Sequence, residues 1–356
     1  MKKILNCALV AILAFSVFFA LSGTEQIQVD AQTGESEIVM ETLSNRVLYG
    51  KNAYDKMYMA STTKILTAIT VIENADVNEV VTVTAKTVGV EGSSIYLEAG
   101  EKMTVKDLLY GLMLRSGNDC AETLAVYCSG SIADFVSLMN DTAEKIGATS
   151  SNFVNPHGLH DDEHYTTAYD LALITCYALK NPIFREIVSA KYADVPFTTR
   201  NSKRRLINKN KMLSRLKGCT GVKTGYTKKA GRCLVTSCER QGMEVVCVVL
   251  NCGPMWDVSE KLINSAFNDY NNYKLVESDN VVGFMKYGDN KSCALYVKND
   301  VIPPLTDYEY ENVIIKYDYP EYCGEKFKKD EEMGKIEIYC ENNLLFSEKI
   351  YTIIGA

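Results

Sequence analysis

The apolar residues of this chain change period twice, and that alone narrows the folds open to it. Around Glu37-Ile38-Val39-Met40 and Arg46-Val47-Leu48-Tyr49, within residues 26 to 60, they alternate with polar residues, as in two strands joined by a short turn. From Ser61 they recur three and four apart, at Ile65, Leu66, Ile69 and Ile72, which predicts a helix buried on one side with Ser61 at its start. Residues 80 to 103 read as irregular strands and turns. Thr104 to Leu114, Ala121 to Tyr127, Ile132 to Ile146 and Thr167 to Leu179 then carry the helical period. The pattern returns to strands after Gly218, at Val222 to Thr227, Arg232 to Cys238 and Met243 to Asn251, with Gln241-Gly242 as a hairpin turn. A helix from Val258 to Tyr270 closes this part. Strand, helix cluster and strand again predict an α/β fold in which an antiparallel sheet is flanked by helices and split by a helical insertion.

After Tyr270 the chain is rich in Tyr and Val in short alternating stretches, Ser292 to Val297, Asn312 to Tyr317 and Lys335 to Tyr339, separated by charged turns. That pattern predicts a small all-β domain, in the form of a sandwich. At 356 residues with 47% hydrophobic composition the chain can hold one large core and one small one. The expected division is 26–271 and 276–356, behind a leader at 1–22.

Three short strings stand in order within the first domain: Ser61-Thr62-Thr63-Lys64, Ser116-Gly117-Asn118 and Lys223-Thr224-Gly225. Singly each is weak. Ser214-Arg215-Leu216-Lys217 repeats the first pattern and Ser150-Ser151-Asn152 the second, and a lone serine or asparagine is more often a cap or turn former. The ordered trio is stronger, because it supplies a nucleophile, a base and a cation in one molecule. Ser214 lies too close to Lys223 to sit on a separate helix from the strand that carries it, whereas Ser61 has room.

The trio resembles the signature of penicillin-binding proteins and serine β-lactamases. With Arg46-Val47-Leu48-Tyr49, the run Leu112 to Asp119, Asn155-Pro156-His157-Gly158-Leu159 and Thr166-Thr167-Ala168, residues 35 to 270 resemble the D-alanyl-D-alanine carboxypeptidase family of low-molecular-weight penicillin-binding proteins. The resemblance implies a β-lactamase-like fold and removal of the last D-alanine from peptidoglycan stem pentapeptides through an acyl-enzyme. It also implies acylation by β-lactam antibiotics and no cofactor. Ser61 is then the nucleophile, Lys64 its base and Ser116 the proton relay to the leaving amine. Asn118 holds the substrate amide, and the backbone of Tyr226 completes the site for the anionic oxygen; several relatives have histidine there. A β-lactamase is the second enzyme reading, against which no Glu-x-x-Leu-Asn element stands between the second and third strings. A wall-binding protein with a dead catalytic domain is the third, against which all the expected side chains are present.

The chemistry is consistent with those residue types. A serine hydroxyl needs a neighbouring base, and a lysine three residues on along a helix shares its face. That lysine must lose a proton that ordinarily leaves near pKa 10.4. Burial and a nearby cation, for which Lys223 is the candidate, would lower it. Lys223 and Thr224 offer a charge and a hydroxyl to a terminal carboxylate, and Gly225 lets substrate lie against the strand.

Met1-Lys2-Lys3 and the apolar run Ile4 to Leu21, with Ala20 and Ser22 before Gly23, read as a secretory leader; at about 18 residues the run could also stay as an anchor. Many members of the resembled family end in an amphipathic helix on the membrane, which Tyr351 to Ala356 is too short to form, so release and N-terminal retention both stay open. The formal charge is −7, and losing two leader lysines makes the chain more acidic still, which argues against a nucleic-acid partner. The basic run from Arg200 to Lys217 reads as a solvated loop beside the site, or more sharply as a contact with anionic wall polymer. Of twelve cysteines, all but Cys7 follow the leader; apolar settings such as Val245-Val246-Cys247-Val248-Val249 suit buried free thiols, as in a reducing habitat. His157, His160 and His164 invite a metal, but they fall in a family turn beside an already activated serine, and no metal is expected.

Overall fold

The protein is described by a computed structural model over residues 34–289, 291–324 and 326–355. The expected leader at 1–22 lies outside the described residues. Nine strands precede the C-terminal part: β1 Ser36–Glu41, β2 Val47–Lys51, β3 Val80–Thr82, β4 Lys102–Thr104, β5 Tyr192–Phe197, β6 Ser202–Ile207, β7 Cys219–Thr227, β8 Gly231–Arg240 and β9 Met243–Leu250. The main sheet is antiparallel in the order β2-β1-β9-β8-β7.

Every residue of β9 is buried, because it is the middle strand and both of its faces are covered. On one face Val39, Leu234, Val245, Cys247 and Val249 pack with Ile263 and Ala266 of helix Met255–Asp269. On the other, Ile38, Met40, Val235, Val246 and Val248 meet the helical cluster, including Ile65, Ile69, Leu171 and Ile174. Burial on both faces is why this strand reads as a continuous apolar run rather than an alternation. The turn at Gln241-Gly242 has φ of 50° and 79°, the left-handed pair that a tight two-residue hairpin demands.

The helical insertion comprises Lys64–Asn74, Val105–Leu114, Asn118–Ser129, Ile132–Ile146, Ala168–Leu179 and Pro182–Ser189. Thr104, Ser131, Thr167 and Asn181 cap four of these with side-chain oxygens. The helix at Pro182 and the β5–β6 hairpin are absent from the sequence reading. The basic run is therefore largely exposed, as expected, but part of it is a strand rather than loop. Arg204 pairs with the fully buried Glu101, Arg205 with Asp194, Arg200 with Glu98, and Arg215 with Asp257 and Glu260. Its guanidinium groups are spent within the protein.

The C-terminal part has a five-stranded antiparallel sheet ordered Val281–Tyr287, Lys291–Tyr296, Asn343–Thr352, Glu332–Cys340 and Val313–Asp318. The first hairpin joins the other three strands at only two residue pairs, Leu295–Thr352 and Tyr296–Tyr351. Its Met285 and Leu295 pack with Ile336, Ile338 and Ile350 of those strands and with loop residues Leu275, Val301 and Phe327, forming the core of the expected small all-β domain. Arg46 of the turn before β2 reaches into this part, donating to Pro304 O and Glu309 and lying over the Tyr270 ring at 5.3 Å. All eleven cysteines among the described residues are free.

Candidate active site

Ser61 is not the first residue of an α-helix. It sits in a 3-10 turn, Ala60–Thr63, and the α-helix begins at Lys64. In a 3-10 turn residues three apart eclipse one another, which sets Lys64 Nζ 3.3 Å from Ser61 Oγ. The turn is tightly held. Ala60 has φ of 47°, a strained value for a residue with a β-carbon. Its carbonyl accepts from Thr63 Oγ1 at 2.8 Å. Behind it stands Gly158 at φ +85°, where a β-carbon would lie 1.9 Å from Ala60 O.

Lys64 is fully buried, and its Nζ lies 2.7 Å from Asn118 Oδ1 and 2.5 Å from the carbonyl of His157. Both partners can only accept. A neutral amine has two hydrogens, one for each, and its lone pair is then left for the Ser61 hydroxyl. Burial, followed by the charges of Lys223 and Lys209, holds the Lys64 ammonium well below the usual lysine range.

Ser116 and Asn118 enter from the next connection. Ser116 is buried at φ of 65°, so the serine, and not Gly117 at φ −60°, takes the left-handed conformation. Gly117 is needed for space: a β-carbon there would lie 2.8 Å from Asp119 Oδ1 and 3.0 Å from Cys120 Sγ. Asn118 begins helix Asn118–Ser129 and donates from Nδ2 to Glu91 O at 2.5 Å. Asp119 is a site residue that the sequence reading passed over. Its buried carboxylate accepts from Ile95 N, from Leu97 N at 3.1 Å and from Ser94 Oγ at 2.5 Å, lashing residues 94 to 97 to the Asn118 helix.

The third wall is β7, an edge strand whose free backbone groups face the cleft. Gly225 is where it touches the nucleophile turn. A β-carbon there would lie 3.0 Å from Met59 O and 3.1 Å from Ser61 N, so the glycine admits the protein's own backbone as well as any substrate. Ser61 N–H has no acceptor among the described residues. Tyr226 turns its side chain outward, 65% exposed. Lys223 is buried, donates to Thr224 O at 2.9 Å, and is pushed down to about 7 by burial and by Lys209. In the sequence Lys209 stands only as one member of the basic run. Its amine reaches Ser93 Oγ at 3.1 Å and makes a third lysine of the site. Only its effect on two other lysines identifies it, and that is invisible along the chain.

The histidines hold the turn behind the nucleophile. His164 Nδ1 accepts from Val154 N at 3.1 Å; since the Thr63 hydroxyl donates to Ala60 O, His164 Nε2 donates to Thr63 Oγ1 at 2.8 Å. His157 Nδ1 accepts from Leu159 N at 3.2 Å. Burial keeps both neutral, with pKa values of about 4 and about 3. Ser214 is exposed on a single helical turn, and Ser150, the serine of the second Ser-x-Asn, is exposed with its backbone N–H donating to Asp170 at 2.8 Å. Neither stands beside a lysine amine.

The family model described as D-alanyl-D-alanine carboxypeptidase matches residues 23–253, and that of the penicillin-binding protein 5 C-terminal domain matches 270–353. The chain is 31% identical to the D-alanyl-D-alanine carboxypeptidase DacF of Bacillus subtilis, over 82% of this chain and 77% of that one. It is 32% identical to DacC of Escherichia coli, over 76% of this chain and 70% of that one. Among solved structures, penicillin-binding protein 5 of Haemophilus influenzae shares the fold with a TM-score of 0.79 at 24% identity, covering 92% of this chain and 98% of that one. A mutant of the Streptomyces K15 DD-transpeptidase has a TM-score of 0.63 at 31% identity, covering 67% and 99%.

Proposed function

The chain belongs to the D-alanyl-D-alanine carboxypeptidase family, and from that premise we propose how its own residues carry out the reaction and on what. The activity is that of a serine-type D-Ala-D-Ala carboxypeptidase. Its substrates are peptidoglycan stem pentapeptides, and it works outside the cytoplasm.

The observation that carries the assignment is Lys64 Nζ at 3.3 Å from Ser61 Oγ with two acceptor-only partners beside it, so that once the amine is neutral its two hydrogens are taken and its lone pair is directed at the serine hydroxyl. Ser61 attacks the carbonyl of the penultimate D-alanine while Lys64 takes its proton. The developing oxyanion is held between the N–H groups of Ser61 and Tyr226, in a cleft from which Gly225 and Gly158 exclude bulk. Lys223 and Thr224 clamp the terminal carboxylate, and its charge favours the protonated form of Lys223 when substrate is bound. Asn118 holds the amide of the acyl half. The Ser116 hydroxyl has no partner of its own among the described residues and passes a proton to the departing D-alanine amine. Water then attacks the acyl-enzyme, again with Lys64 as base, and releases the shortened peptide.

A β-lactam presents a strained amide and a carboxylate in the same relation, so it acylates Ser61; its leaving nitrogen stays tethered and the adduct persists. Incubating the full chain with a stem-type D-Ala-D-Ala peptide should release free D-alanine. Turnover of benzylpenicillin many times per second, with no D-alanine released, would contradict the proposal.

A further inference from the structure

The substrate is longer than the part that the residues above engage. With the terminal carboxylate at Lys223 and the scissile carbonyl at Tyr226, the acyl half runs on toward the end of β7, advancing about 3.3 Å per residue. At that end of the sheet β1 begins, β9 ends and β7 turns into β8. A cavity of about 560 Å³ opens there, lined by Lys56, Tyr58, Asp162, Glu163, Tyr165 and Lys229 among others.

Several of these charges are already engaged. The Lys56 ammonium lies over the Tyr165 ring at 4.1 Å, and Asp162 accepts from the Tyr58 hydroxyl at 3.2 Å. The ammonium of Lys229 and the carboxylate of Glu163 have no ion-pair or hydrogen-bond partner among the described residues. Both ride on anchored backbone. Lys229 is in the β7–β8 turn, where Ala230 N donates to Thr227 Oγ1 at 3.0 Å. Glu163 is in a loop pinned by the bridges of Tyr165 to Asn152 and Thr166 to Met57. One positive and one negative group, unpaired and on separate walls, therefore line a cavity at the end of the sheet toward which the acyl half runs.

We propose that this cavity is the subsite for the residue preceding D-Ala-D-Ala, and that it selects a side chain ending in both an ammonium and a carboxylate, as a diamino dicarboxylic acid does. Glu163 takes the ammonium and Lys229 the carboxylate. The inference rests on the reading of Ser61 and Lys223 given above, because that reading fixes the direction in which the peptide runs.

The test uses three acetylated tripeptides X-D-Ala-D-Ala, with X as diaminopimelate, lysine or norleucine, on the wild-type chain, Glu163→Gln and Lys229→Gln. Penicillin acylation of the wild type is followed in parallel. Two partly exposed charge contacts give a kcat/KM for diaminopimelate roughly fivefold above norleucine, with lysine between. Lys229→Gln should erase the advantage over lysine, and Glu163→Gln the advantage of both cationic side chains over norleucine. Equal kcat/KM for all three, with D-alanine released and penicillin bound, would overturn the subsite and leave the catalytic reading standing. A wild-type preference that survives in both variants would overturn the assignment to these residues. Release of D-alanine from none of them, with no penicillin adduct, would overturn both.

Discussion

Asn118 Oδ1 lies 2.7 Å from Lys64 Nζ and takes one of its hydrogens. The neutral amide matters more than the contact. In Asn118→Asp the new carboxylate would hold the ammonium charged and raise the pKa that burial and Lys223 lower. The variant should lose at least about a hundredfold in kcat/KM at neutral pH. Its remaining activity should return only as pH rises, shifting the acidic limb of the profile upward. An unshifted limb would mean that Asn118 does not set the charge on Lys64.

The wild-type profile follows from two lysines with opposite requirements. Lys64 must be neutral, so kcat/KM rises as pH passes its lowered value. Lys223 must be charged to meet the carboxylate, so kcat/KM falls as pH passes about 7 in the free enzyme. Titrating D-alanine release across pH 5 to 10 should therefore give a bell in kcat/KM. The alkaline limb should move upward in kcat, because bound carboxylate favours the charged lysine.

Lys223 is also a liability to folding. Its folded pKa, about 7, is depressed below the 10.5 of the unfolded chain, so unfolding takes up a proton and stability rises with pH between those values. Lys223→Met removes the cost of burying that amine. The variant should be inactive yet melt several degrees higher than wild type at pH 6, with the advantage shrinking toward pH 10. Thermal unfolding at three pH values checks this; a gap that widens with pH would reverse the sign.

The broad plan of the fold was legible because its signals are local. The period switch at Ser61 and the apolar run of β9 mark where a helix packs and where a strand is covered on both faces. The Asn181-Pro182 cap, with proline at the first helical position, is a local signal for the helix that follows. The β5–β6 hairpin was hidden because its arginines look like surface until Glu98, Glu101 and Asp194 are brought to them. In the candidate site, the three strings name the side chains but not how they are held. Left-handed Ala60 and Ser116 are imposed by packing, and Lys209 and Asp119 act across long stretches of chain.

Two glycines should respond differently to alanine. At Gly158 the new carbon would strike Ala60 O in a left-handed conformation, so Gly158→Ala should fold poorly or melt far below wild type. At Gly225 the contacts are 3.0 to 3.2 Å and can yield by a small shift of β7. Gly225→Ala should stay folded, with kcat falling about a hundredfold because the oxyanion donors are misplaced. Paired calorimetry and kinetics distinguish the two.

The thiols should behave as core residues. Burial pushes Cys233 up to about 12 and Cys219 up to about 11, so native protein should react slowly with a thiol reagent. Denatured protein should titrate all eleven cysteines of the described residues without prior reduction. A shortfall after denaturation would reveal a disulfide.

The central claim is that Ser61 is made nucleophilic by an uncharged Lys64. Mass spectrometry of the intact chain and its peptides after incubation with benzylpenicillin tests it most directly. The account predicts one adduct on the Ser61 peptide of the wild type and almost none, over the same time, in Lys64→Met, which has a similar length but no amine. Acylation of Lys64→Met at the wild-type rate, or an adduct mapped to Ser116 or Ser214, would contradict it.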